Sequence, residues 1–135
     1  MLKCLLIVTF TVSLLTGHFA FAENPPEEVY QKYIAAIKSK NLDELNKYLT
    51  MQQRDKLNAE TPEDRQKMIE LIAALMPKSI RVVEQAVSPD DKTVTLKLVG
   101  IGGISGNDEV SGTVSLVKEE SEWKIDREEW SNKQP

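Results

Sequence analysis

Apolar residues recur every three or four positions as far as Met76, and every second position from Ser79 onward. That change of period divides the chain into a helical part and a stranded part. Asn24-Pro25-Pro26 opens the first helix, since a proline in the first turn lacks only a donor that would be unsatisfied anyway. Glu27 and Glu28 favour the positive end of the helix dipole. Val29, Tyr30, Tyr33, Ile34 and Ile37 form its apolar stripe, and the helix is expected to end near Ser39. Asn41 with Glu44 reads as a capping box for a short second helix whose inner face is Leu42, Leu45, Tyr48 and Leu49. Thr50 with Gln53 offers another, over a polar segment, Met51 to Asn58, that reads as a helix of low stability. Thr61-Pro62-Glu63-Asp64 combines a cap, a proline and two acids, and starts a helix with a broad face of Met68, Ile69, Ile72, Leu75 and Met76. Pro77 stops it.

The stranded part begins with Ser79 to Val87, which is β-rich although its two faces do not separate cleanly. Ser88-Pro89-Asp90-Asp91 is a turn by composition. Thr93 to Val99 alternates, with Val94, Leu96 and Leu98 on one face. After a glycine-rich link, Val110 to Val117 and Glu122 to Arg127 complete a meander joined by Glu119-Glu120-Ser121. In the last strand Trp123 and Ile125 share parity and are expected to face the helices, with Lys124 and Asp126 on the other side. Helices first and strands afterwards predict an α+β domain, with the helices on one face of an antiparallel sheet.

Ahead of this pattern lies a segment of another kind. Lys3, the apolar run Leu5 to Leu15 and the small-residue site Ala20-Phe21-Ala22 are the three parts of a secretory signal peptide over residues 1–22. The run falls short of the roughly 20 residues that span a membrane, and Cys4 precedes it rather than ending it, as a lipid-modified cysteine would. Cleavage is expected to leave residues 23–135 as one domain, exported to a bacterial periplasm or secreted, with no stable membrane anchor.

Cleavage changes the available chemistry. It removes Cys4 and His18, the one cysteine and the one histidine of the chain. Without thiolate or imidazole, no metal site and no cofactor are expected. Losing Lys3 leaves 16 basic against 21 acidic residues, a net charge of −5, with no basic run for a phosphate backbone, so nucleic acid is not an expected partner.

Three features invite a functional reading. Gly100 to Gly106 lacks the Gly-Lys-Ser/Thr of a P-loop, has Ser105 where a dinucleotide fingerprint needs glycine, and leads into a strand, so it reads as a hairpin loop or a bend in the sheet. The acids Glu119, Glu120, Glu122, Asp126, Glu128 and Glu129 show no EF-hand pattern and read as a solvated edge that resists aggregation. Tyr30, Tyr33 and Tyr48 sit at helical spacing and read as core residues with wet hydroxyls.

Two segments, Pro26 to Leu45 (PEEVYQKYIAAIKSKNLDEL) and Val114 to Ile125 (VSLVKEESEWKI), resemble the NTF2-like superfamily, in its branch of small exported bacterial domains. The resemblance implies an NTF2-like cone, its helices on one face of a curved antiparallel sheet with a pocket between them. Enzymes of that superfamily use Asp, His or Tyr in the pocket, and no position of this chain matches one residue by residue. The leading expectation is a non-catalytic domain that binds a small apolar ligand or a protein partner, with Tyr33, Ile37, Ile72, Leu96 and Trp123 lining the pocket. The alternatives are a carboxylate- and tyrosine-based isomerase or hydrolase, and a structural subunit that forms a homodimer through its sheet. An acid pointing inward beside Tyr33 would favour the enzyme. A pocket lined by Ile37, Ile72, Leu96 and Trp123 would favour binding.

Overall fold

The computed structural model describes residues 24–132. The leader expected over residues 1–22, and the cleavage junction that would separate it from the domain, lie outside the described residues. Helices α1 (Pro26–Lys38), α2 (Leu42–Tyr48), α3 (Met51–Ala59) and α4 (Pro62–Leu75) precede strands β1 (Ser79–Val87), β2 (Thr93–Gly102), β3 (Asp108–Glu119) and β4 (Glu122–Asn132). The strands pair antiparallel in the order β1-β2-β3-β4. The sheet is curved, and the whole is the expected α+β arrangement.

Local signals set the helix limits. The oxygens of Asn41, Thr50 and Thr61 accept hydrogen bonds from the backbone N–H groups of Glu44, Gln53 and Asp64 at 3.1, 3.3 and 3.1 Å. Helix α1 ends where Lys40 turns left-handed (φ 55°), with the Asn41 N–H donating back to the Ala36 carbonyl. That arrangement is a Schellman-type stop made without glycine.

The core joins Val29, Tyr30, Tyr33, Ile34 and Ile37 of α1 to Val94, Leu96, Leu98, Val114 and Leu116 of the two central strands, with Trp123 and Ile125 of β4. Truncating a fully buried leucine such as Leu96 would cost about 2–5 kcal/mol. The face of α4 is only partly covered: Ile69 is buried, while Met68 and Leu75 stand exposed.

Both outer strands are irregular. The β1/β2 register shifts between Val82 and Glu84, which is why the two faces of β1 do not separate in the sequence. The β3/β4 register shifts between Ser115 and Leu116, so that Ile125 pairs with Leu116 but Arg127 pairs with Ser115. Asp126 is the extra residue of a β-bulge. Before it, Trp123 and Ile125 are buried towards the helices, as their parity predicts. After it the parity reverses, and Glu128 and Trp130 lie opposite the inward-facing positions Val114 and Gly112. The bulge is held from outside the sheet. Gln53 Nε2 donates to the Asp126 carbonyl at 2.7 Å, and the Thr50 N–H donates to the Ile125 carbonyl at 3.0 Å.

The glycine-rich segment divides in two. Gly100 and Gly102 belong to β2, and the turn itself spans residues 103–107, with Gly103 and Gly106 at φ +74° and +77°. At Gly100 a Cβ would stand 2.7 Å from the Ser79 carbonyl oxygen and 2.9 Å from Pro77 Cβ, so glycine is required there by close approach.

Candidate functional site

Tyr33, Ile37 and Leu96 are buried in the core, and Ile72 packs partly buried against it. Trp123 belongs to the same core but also forms part of the wall of a cleft of about 880 Å³. The cleft lies where β3 turns into β4. Asn24 and Val29 border it from the start of α1, Lys47 and Tyr48 from the end of α2, Arg54 from α3, and Glu120 to Lys124 from the turn and β4.

The turn carrying that wall is tight. Glu119 pairs with Glu122, and between them Glu120 and Ser121 both have positive φ, 50° and 68°. This is the backbone of a two-residue hairpin turn, normally given to Asn and Gly, held here by residues that prefer other conformations. Side chains tie it to the helices. The Glu119 carboxylate accepts from the Met51 N–H at 2.9 Å, at the positive end of α3. Lys124 Nζ donates to the Lys47 carbonyl at 2.7 Å and pairs with Glu122 at 3.0 Å. The Lys118 ammonium stands 5.0 Å from the centre of the Trp123 ring. Lys47 pairs with Glu44.

A second group of side chains lies inside the domain. The Tyr30 hydroxyl donates to Glu128 Oε2 at 2.6 Å, and the Tyr30 and Tyr33 rings stack with centroids 5.9 Å apart. Burial pushes the Glu128 carboxyl above its ordinary 4.5, opposed by the hydrogen bond from Tyr30 and by the Trp130 indole. The indole N–H has no hydrogen bond of regular geometry, so it acts on the carboxylate as a nearby dipole. Burial also drives the Tyr30 and Tyr33 phenols well above their ordinary value, and the Glu128 charge adds to both shifts. Phenols shifted this way hold their protons too tightly to serve as general acids near neutral pH.

This arrangement corrects two sequence expectations. Glu128 is not part of a solvated edge, because the bulge at Asp126 turns it inward. The Tyr30 hydroxyl is not wet, because it is spent on Glu128 in a residue 1% exposed. A signal for both was present in the sequence. The aromatic and aliphatic positions of the last strand are odd at Trp123 and Ile125 and even at Trp130, and a strand changes parity only by inserting a residue. Arg54 had no comparable signal, since nothing in a polar helix marks which residue will border a cleft.

Chemically, the inner group can hold or release one proton at Glu128. Glu128 forms no part of the cleft wall, nor of a second cavity of about 270 Å³ that Tyr30 borders with Ile34, Ile80, Arg81 and Val82. Among the described residues no three Asp, Glu, His or Cys side chains cluster to hold a metal ion.

No family model and no curated protein matches the chain. Solved structures do. A provisionally assigned calcium/calmodulin-dependent protein kinase type II association domain from Thiobacillus denitrificans is 15% identical, with TM-score 0.59 over 83% of this chain and 98% of its own. A SEC-C motif containing protein from Rhodopseudomonas palustris is 17% identical, with TM-score 0.54 over 77% of each chain. Likeness at such identity is a likeness of fold alone. With four helices laid ahead of a curved four-stranded antiparallel meander, the chain has an α+β fold that it shares with these two structures.

Proposed function

We propose that this domain is an exported, non-catalytic module that binds a small ligand in the cleft beside Trp123. The observation that supports it is a separation. The large cleft has an aromatic wall of Tyr48 and Trp123, whereas the one acid with a raised pKa among the described residues, the half-buried Glu128, borders neither cavity described above. A binding site needs a concave apolar surface with a few polar groups. A general base must in addition reach its substrate.

Native mass spectrometry of protein purified from its own host tests the reading. A bound small molecule should be retained by the wild type and by Glu128→Gln, and lost in Tyr48→Ala. A mass increment of a second chain, or of another protein, would instead support the homodimer or the protein partner. Export is part of the proposal and rests on the leader pattern of residues 1–22. An intact mass beginning at Glu23 is expected, and a species retaining Cys4 or a lipid would overturn it.

One observation favours a second reading. Glu128 points inward beside Tyr30 and Tyr33, as a carboxylate- and tyrosine-based isomerase or hydrolase would require. Retention of a bound molecule by Tyr48→Ala together with its loss in Glu128→Gln would move the function to that pair.

A further inference from the structure

We infer that the cleft beside Trp123 takes an anionic ligand, a planar apolar body carrying one carboxylate, and that Arg54 is the residue that grips the carboxylate. The inference rests on the binding reading above and adds the ligand's charge and shape.

The charges around the cleft do not cancel evenly. Lys47 is engaged by Glu44, and Lys124 by Glu122 and the Lys47 carbonyl. Glu119 is engaged by the Met51 N–H. Glu120 stands exposed on the turn. Arg54 borders the same cleft, half-buried, and its guanidinium makes no ion pair and no side-chain hydrogen bond among the described residues. A guanidinium carries five N–H donors in a rigid plane and cannot lose its charge. Half-buried, it is still reached by water, which the acid group of a ligand in the cleft would displace. A carboxylate fits that fork with two parallel hydrogen bonds.

The rest of the cleft describes the ligand's body. Tyr48 and Trp123 supply aromatic surface and Val29 an aliphatic patch, all within the one wall that contains Arg54. Glu120 and Glu122 border the same wall, so the carboxylate must be placed at Arg54, away from the turn. The chain as a whole is acidic, with net charge −4. Long-range attraction therefore does not recruit an anion to this protein, and recognition must come from the local guanidinium.

Calorimetric titration of the mature domain with 2-naphthoate and with neutral 2-naphthamide, which differ in charge but hardly in shape, tests the inference. The wild type should bind naphthoate roughly tenfold or more tightly than naphthamide, the usual worth of a charge-assisted hydrogen-bonded pair. Arg54→Gln should remove that preference and leave naphthamide binding unchanged, and Arg54→Lys should restore part of it. Because Arg54 holds no other side chain, these variants are expected to keep the wild-type denaturation midpoint, which is measured alongside. Equal binding of both probes, unaltered in Arg54→Gln, would overturn the anionic ligand and leave the binding reading standing. Binding of neither probe would overturn the planar carboxylate ligand, while the binding reading is decided by the retained mass.

Discussion

The Tyr30 hydroxyl and the Glu128 carboxylate, 98 positions apart in the chain, meet at 2.6 Å inside the domain. The contact depends on one inserted residue, Asp126, which moves every later side chain of β4 to the opposite face of the sheet. Without it Arg127 and Glu129 would point inward, and Tyr30 would have no acceptor at that position.

Glu128→Gln tests the electrostatic state of this contact. Burial raises the Glu128 pKa, so the folded chain binds that proton more tightly than the unfolded chain does. The group's contribution to stability is full below its ordinary 4.5 and declines as pH rises through the raised value. A glutamine keeps an acceptor for Tyr30 and carries no charge. Urea denaturation should therefore show the variant gaining on the wild type as pH increases from about 4 to about 8. A wild type that gains on the variant over the same range would show that the carboxylate is stabilised as an anion.

Gln53→Ala tests the support of the bulge. Its side-chain amide fills the Asp126 carbonyl at 2.7 Å, and losing that bond should cost about 1–2 kcal/mol. Gln52, exposed on the same helix, supplies the control, with an expected loss within about 0.5 kcal/mol. Similar denaturation midpoints for the two variants would mean that the bulge does not need Gln53.

Trp123→Ala should cost about 3–5 kcal/mol, as deletion of a buried aromatic does. Strand parity alone makes Lys124 an exposed neighbour of little consequence. The structure gives it more to do, because its ammonium reaches round the sheet edge to the Lys47 carbonyl and pairs with Glu122. Lys124→Ala is therefore expected to lose about 1 kcal/mol, the worth of one such hydrogen bond. Equal losses at the two positions would mean that Trp123 is not an anchor of the core.

Gly112→Ala should disturb the same interior from the opposite strand. A Cβ at Gly112 would stand 2.7 Å from Trp130 Cε3 and 2.8 Å from the Glu129 carbonyl oxygen. Trp130 would have to leave the sheet surface, at a cost of about 1–3 kcal/mol. A red-shifted tryptophan emission together with an earlier denaturation midpoint would report the displacement, and an unchanged spectrum would argue against it.

What the sequence reveals and what it conceals divide along physical lines. Caps, first-turn prolines and the change of period act over a few residues. They place α1 within one residue of its observed end and give β1 its observed limits, Ser79–Val87. The end of β2 was less legible, because Gly100 and Gly102 look like loop residues until Pro77 is seen lying against them. The inward turn of Glu128 and the open guanidinium of Arg54 depend on contacts between distant segments. A two-residue alternation carried past Asp126 gives every acid the wrong side.

The two register shifts fall in β1 and β4, whereas the pairing of β2 with β3 runs unbroken from Thr93 and Val117 to Gly102 and Asp108. Unbroken register is thus confined to the middle of the sheet, and irregular strands form both of its borders. Along β4 the border is also occupied at Ile125, where Leu49 makes a parallel bridge. A foreign strand that approached either border would find hydrogen-bonding groups out of step with its own. Ordered stacking of copies into fibrils would have to begin with detachment of an outer strand, so the resistance of this domain to fibril growth should follow the stability of β1 and β4 rather than that of the well-paired centre.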